Sequence, residues 1–141
     1  MKKKLFRIVA LIIMLGTIAS TTANAAPISA SEYISSYAAV TTKSGTKLTV
    51  TYSVDGNTLM TSIGASKITI YEKNGSAAWK VVKTFSYPAT TGLRSSNAAS
   101  HYSSVTYTGV AGRQYYAVVE FYAGNSTGSD TKTSSTNTVT L

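Results

Sequence analysis

Apolar residues in this chain recur at every second position, in short runs divided by Ser, Gly, Asn and Thr. Leu48, Val50, Tyr52 and Val54 give the cleanest case, each followed by a polar residue or turn former. An alternation of two is the signature of a strand with one buried face. No stretch after residue 26 sustains a 3.6-residue apolar period, so no helix is expected there. The pattern predicts seven strands, at 33–40, 47–54, 67–72, 79–86, 102–108, 114–123 and 136–141. Asp55-Gly56-Asn57 reads as a turn, and 59–65 as a connection returning Leu59, Met60 and Ile63 to the core. Ile68 and Ile70 face inward on the third strand. Asn74-Gly75 is the strongest hairpin signal, because both residues tolerate positive φ. Trp79, Val81 and Phe85 share one face of the fourth strand, which Tyr87-Pro88 ends. The stretches 89–100 and 124–130 read as loops.

The first 25 residues break this pattern. Lys2, Lys3, Lys4 and Arg7 form a basic start, residues 8–19 form an apolar run, and Ala23-Asn24-Ala25 closes a small, polar exit. That is the plan of a secretory signal peptide with an A-x-A cleavage site. The run is short of the roughly 20 residues a bilayer core needs. Cleavage after Ala25 is therefore expected, leaving 26–141 as a single secreted domain. No cysteine is present for disulfides or lipid attachment, so no stable membrane anchor is expected. Such export suits a Gram-positive bacterium.

The cut changes the charge. The whole chain carries +8, but four of the basic residues leave with the signal. The remainder has nine basic residues against five acidic ones, a net +4. Those nine are scattered, whereas a nucleic-acid surface needs a basic patch. Nucleic acid is not an expected partner; a modest positive charge fits weak attraction to anionic wall polymers or membranes as well. Ser and Thr supply 38 residues after position 25, and all 10 Tyr lie there too, a composition that favours strands.

Short strands without helices argue for an all-β sandwich or barrel. One segment sharpens this. Across Tyr107-Thr108-Gly109-Val110-Ala111-Gly112-Arg113-Gln114-Tyr115 a strand ends, a Gly-x-x-Gly turn crosses over, and a Tyr opens the next strand. This resembles the tyrosine corner of fibronectin type III and immunoglobulin-like sandwiches. The resemblance implies a seven-stranded antiparallel β-sandwich, with Tyr115 as the structural corner residue bonding back to the chain upstream. Ala117, Val119 and Phe121 then follow it into the core. The chain departs from that family in carrying its Trp on the fourth strand and in lacking the usual proline in the turn. Residues 30–140 also resemble small secreted proteins of clostridia-like Gram-positive bacteria, in Ile63-Gly64-Ala65-Ser66-Lys67-Ile68 and in Tyr122-Ala123-Gly124-Asn125-Ser126-Thr127-Gly128-Ser129-Asp130. That group has no assigned activity.

Catalytic chemistry is thinly provided for. The single His101 opens a strand and reads as an exposed strand-end histidine; no Gly-x-Ser-x-Gly elbow accompanies it. Glu72 and Glu120 lie on strands expected to be neighbours, yet Glu72 reads better as a partner for a cross-strand Lys. Asp55 and Asp130 are turn residues. With no Cys and one His, no metal or cofactor is expected, and the pairs Asp55/Asn57 and Asn125/Asp130 are too poor in charge for calcium. The expected chemistry is therefore non-catalytic. If Tyr115, Ala117, Val119 and Phe121 face in, then Tyr116, Val118, Glu120 and Tyr122 face out. Tyr71 joins them beside Lys67 and Thr69, unless residues 27–36 lie over this face. Tyr71, Tyr116, Val118 and Tyr122 are the candidate binding residues, since aromatic faces suit sugar rings and proteins. A monomeric binding or adhesion module for glycan, cell wall or protein is expected; a bacteriocin-like effector is the alternative.

Overall fold

The computed structural model describes residues 31–141. The signal peptide expected at 1–25 and the start of the mature chain lie outside them. Seven strands follow one another: β1 (Ile34–Ser44), β2 (Lys47–Lys73), β3 (Lys80–Ser86), β4 (Arg94–Thr108), β5 (Gln114–Gly124), β6 (Ser129–Ser135) and β7 (Val139–Thr140). All pairs are antiparallel, and together they make one sheet curled into a half-barrel.

β2 organises the sheet. Its first part, Lys47–Asp55, lies between β1 and β4. Its last part, Lys67–Glu72, lies between β3 and β5, and β5 carries β6 and the short β7 on its far side. The inner face of the curl is the core. Leu48, Val50, Tyr52 and Val54 from the first part of β2 meet Ile68 and Ile70 from the last part and Tyr115, Ala117, Val119 and Phe121 from β5. Each fully buried side chain of this size contributes about 2 kcal/mol.

Several expectations need correction. Residues 47–73 form one strand, because Asp55-Gly56-Asn57 makes a bulge instead of a turn. Four residues of β2, 56–59, stand opposite Ala99 alone between the Asp55–Ser100 and Met60–Ala98 pairs. The Asn57 side-chain amide donates to the Ser31 and Glu32 carbonyls, so the start of the described chain covers the bulge. Met60 and Ile63 are buried as expected, whereas Leu59 is exposed at the crest of the bulge. The expected loop at 89–100 is a loop only to Leu93; β4 begins at Arg94. The strand expected at 136–141 reduces to β7, and β6 takes its place. Asn74-Gly75 does form a hairpin, with Gly75 at φ 55° and the Ala77 N–H donating to the Asn74 carbonyl at 3.0 Å. A register shift at Ile70/Tyr71 turns Trp79 and Val81 outward; Phe85, half-buried, stays with the core. Tyr33 and Ile34 enter the core, so the described part of 27–36 does not lie over the outer face of β5.

Candidate functional site

The parity of β5 is fixed by Tyr115, Ala117, Val119 and Phe121, all without exposed surface. Tyr116, Val118, Glu120 and Tyr122 must therefore point to the opposite face, and each is half-buried there. Cross-strand register sets Tyr71 beside Tyr116, Thr69 beside Val118 and Lys67 beside Glu120. The Tyr71 and Tyr116 rings stack with centroids 4.9 Å apart and planes within 6°. Trp79 meets Tyr116 edge-on at 4.7 Å and 89°. These are the two geometries that the aromatic quadrupole favours. Trp79 keeps 36% of its surface in solvent, and the Lys73 ammonium stands 5.8 Å over its ring.

Towards the other end of the face the chemistry changes. Lys67 and Glu120 form an ion pair at 2.6 Å, and the carboxylate pulls the Lys67 ammonium above its ordinary pKa. This pair is exposed enough to add little stability. Beyond it the Arg94 guanidinium lies 3.8 Å from the Tyr122 ring and 4.4 Å from the Tyr87 ring, and it donates to Ser66 Oγ at 2.6 Å. The face thus runs from an aromatic cluster through an ion pair to a stacked arginine. Val118 sits at its centre. Thr69, expected outside, is nearly buried between Val118 and Thr84. Trp79, Tyr87 and Arg94 belong to this face and were not identified from the sequence. The hairpin at Asn74-Gly75 carries the signal for Trp79, since it folds 79–81 back beside Tyr71.

Glu72 points the other way. Its carboxylate is buried, where Tyr115 Oη donates to Oε2 at 2.6 Å and Arg113 Nη1 to Oε1 at 2.6 Å. Lys80, its partner across the strand, stands 3.2 Å away. Tyr115 Oη also accepts the Val110 N–H at 2.8 Å. The Tyr115 hydrogen bond is the largest single cause holding the Glu72 carboxyl below the usual carboxylate range, with Arg113 and Lys80 adding to it. Burial, and then the carboxylate, push the Tyr115 hydroxyl above its ordinary value. Glu72 and Glu120 therefore occupy opposite faces of the sheet and do not form a catalytic pair.

His101 is buried, contrary to expectation, because β4 extends past it and Leu93 covers that end of the core. Ser95 Oγ lies 2.9 Å from Nδ1 and Tyr52 Oη 3.3 Å from Nε2; Tyr52 Oη is also 3.3 Å from the Leu93 carbonyl. With Tyr52 donating to Leu93, the ring donates from Nε2 and accepts from Ser95, and every donor finds an acceptor. The chain staples the 87–93 loop to β2 and β4. Burial lowers the His101 pKa. A histidine kept neutral in the fold gives full stability above the unfolded value of about 6.5, lost as pH falls below it. The urea midpoint is expected to decline as pH falls below about 6.5, and His101→Gln to flatten that limb. An unchanged slope in the variant would refute this role.

Asp130 Oδ2 accepts the Ser31 hydroxyl and, at 3.0 Å, the Tyr33 N–H. The Ser31 bond is the main cause of its lowered pKa. Asp55 accepts the Ser36 hydroxyl. Both carboxylates are thus engaged in tying down the start of β1, and no group of three or more His, Cys, Asp or Glu side chains gathers among the described residues. No protein-family model matches this chain, and no curated protein or solved structure matches it.

Proposed function

We propose that this protein is a secreted, non-catalytic binding module that docks a glycan of the cell wall or of another cell on the outer face of β3, β2, β5 and β6. The observation that carries the reading is the cluster of the half-buried Tyr71 and Tyr116 with the exposed Trp79 on one sheet face. Pyranose rings present flat C–H faces that stack on aromatic rings, while their hydroxyls need polar neighbours. Lys73, Lys67 and Glu120 supply such neighbours within the same face. Export rests on the basic start, apolar run and Ala23-Asn24-Ala25 exit, and the net +4 of the remaining chain suits an anionic wall.

A fibronectin III-like sandwich is the fold that supports this role. Taking the curl as two layers, one has the order β1-β2-β4 and the other β3-β2-β5-β6, with β2 shared. Tyr115 then opens the strand after the crossover, and its hydroxyl bonds five residues upstream at Val110, as a tyrosine corner does. By the same reading the chain is one of the small secreted proteins of Gram-positive bacteria that it resembles.

Binding of the purified protein to isolated cell wall and to a glycan array tests the function. Tyr71→Ala/Tyr116→Ala and Trp79→Ala are each expected to weaken binding about tenfold or more, a loss of at least roughly 1.4 kcal/mol. Circular dichroism checks that the variants stay folded. Binding that survives both changes, or no binding to any glycan, would refute the proposal.

A further inference from the structure

The sheet guards its edges unequally. At β1, the Asn137 side chain takes both backbone groups of Thr41, its Oδ1 accepting the N–H and its Nδ2 donating to the carbonyl, each at 2.9 Å. Lys43 reaches the Thr140 carbonyl, so the segment after β6 closes over that edge. β3 has only seven residues and carries Lys80 and Lys83. Short strands and lysines are the usual protection of an open edge. β4 has neither. It has 15 residues, pairs with β2 alone among the described residues, and after Arg94 carries no formally charged residue, proline or glycine. From Ser100 to Thr108 it runs beside β2 through nine consecutive pairs without a register shift. That is an uncharged edge about 30 Å long that no other strand of the described residues covers.

The composition of this edge selects its partner. An antiparallel strand paired with its own copy sets residue against residue symmetrically about a two-fold axis. Centred on Ser104, the pairs are Ser104 with itself, Ser103 with Val105, Tyr102 with Thr106, His101 with Tyr107 and Ser100 with Thr108. None opposes like charges. Tyr102, at 76% the most exposed large apolar side chain among the described residues, gains a β-branched neighbour, a favoured cross-strand pair. It also borders a shallow groove of about 260 Å3 lined by Ala38, Val40, Thr51 and Ser53, so the flank of the edge is uncharged as well. The same symmetric pairing at β3 would bring lysines of two copies together. We propose that two copies of this chain associate through β4, antiparallel about a two-fold axis near Ser104, to form one continuous sheet. This dimer goes beyond the glycan reading, does not depend on it, and replaces the monomer suggested by the sequence.

Sedimentation of the purified full chain over a range of concentrations tests it. A dimer is expected whose fraction rises with concentration. Ser104 is exposed, so its substitution leaves the core intact. Ser104→Lys sets two ammonium groups against each other and is expected to weaken the dimer at least about tenfold. An equal mixture of Ser104→Lys and Ser104→Glu chains restores it. Because the chain has no cysteine, Ser104→Cys introduces a single thiol whose symmetry mate lies within disulfide reach. Oxidation should cross-link it quantitatively, and Lys83→Cys on the β3 edge should not cross-link. A monomer at every concentration, a dimer indifferent to Ser104→Lys, or equal cross-linking of the two cysteine variants would overturn the proposal.

Discussion

Gly64→Ala is expected to destabilise the domain by about 3 kcal/mol or more, enough to leave much of the chain unfolded. Gly64 has φ 147°, a conformation essentially reserved for glycine. Space is the second obstacle. A Cβ at this position would stand 2.1 Å from the Leu93 carbonyl oxygen and 2.7 Å from Arg94 Cα. Both are backbone atoms, so no rotamer change relieves the clash. The carbonyl cannot retreat without loss either, since it accepts the Ala65 N–H at 2.7 Å. Gly64 is moreover flanked by Arg94 of β4 on one side and Tyr122 of β5 on the other. It sits where β2 leaves its pairing with β4 and continues beside β3. Displacing Leu93 and Arg94 would also disturb the arginine stacked on Tyr87 and Tyr122. Urea unfolding measures the effect, with Gly92→Ala as control. Gly92 has φ 78° but open space where its Cβ would go, so that change should cost only about 1 kcal/mol. Equal losses at the two sites would show that the close approach at Gly64 is not what the fold requires.

The sequence exposes those elements whose residues separate into a buried and a solvent face. The first part of β2 alternates Leu48, Val50, Tyr52 and Val54 with polar residues, and β5 alternates Tyr115, Ala117, Val119 and Phe121 likewise; both were read correctly, with the right face inward. β6 has the sequence Ser-Asp-Thr-Lys-Thr-Ser-Ser and buries none of these residues. It is a strand because β5 offers it a ladder of backbone hydrogen bonds, and such a partner leaves no trace in hydrophobic periodicity. The start of β4 is hidden for the same reason, its Ser-Ser-Asn-Ala-Ala-Ser run being held by β2. Asp55-Gly56-Asn57 has turn chemistry, yet the same residues serve a bulge when strands lie on either side. The outer-face residues Tyr71, Tyr116, Val118 and Tyr122 followed from parity alone and were found together. Trp79 was missed because a single register shift reverses a strand's faces, and Arg94 because its rings, Tyr87 and Tyr122, are brought to it by tertiary folding. His101 looked exposed because it seemed to open a strand after a loop; the longer β4 and the covering loop at Leu93 bury it.

Removing the Glu72 side chain is the second change expected to be severe. Glu72→Ala leaves the buried Tyr115 hydroxyl without its acceptor and removes the counter-charge of the half-exposed Arg113 and the exposed Lys80, which together cost about 3 kcal/mol. Glu72→Gln keeps one acceptor oxygen for Tyr115 but sets an amide donor where Arg113 and Lys80 donate, so a smaller loss of about 1.5 kcal/mol is expected. Tyr115→Phe strands both the Val110 N–H and the carboxylate, for about 2 kcal/mol. Because the two residues share one hydrogen bond, the double variant should lose less than the sum of the singles. The pH dependence identifies the network further. The Glu72 pKa is lowered in the fold, so its contribution is complete above the unfolded value of about 4.3 and disappears as pH falls through the native one. The Tyr115 pKa is raised. Its contribution is complete below about pH 10 and is lost as pH rises through the native value. Stability should therefore fall at both extremes. Glu72→Gln should shrink the acid limb below about pH 4.3, to which Asp130 also contributes, and Tyr115→Phe the alkaline limb, to which Tyr52 and Lys67 also contribute; neither should alter the separate decline that His101 sets from about pH 6.5. Additive losses in the double variant, or acid and alkaline limbs unchanged in both single variants, would show that the carboxylate and the hydroxyl do not act as one unit. A smaller acid limb in Glu72→Gln, a smaller alkaline limb in Tyr115→Phe and a sub-additive double variant would together show that this pair, formed where the turn after β4 delivers Tyr115 beneath the end of β2, ties the two ends of the sheet together.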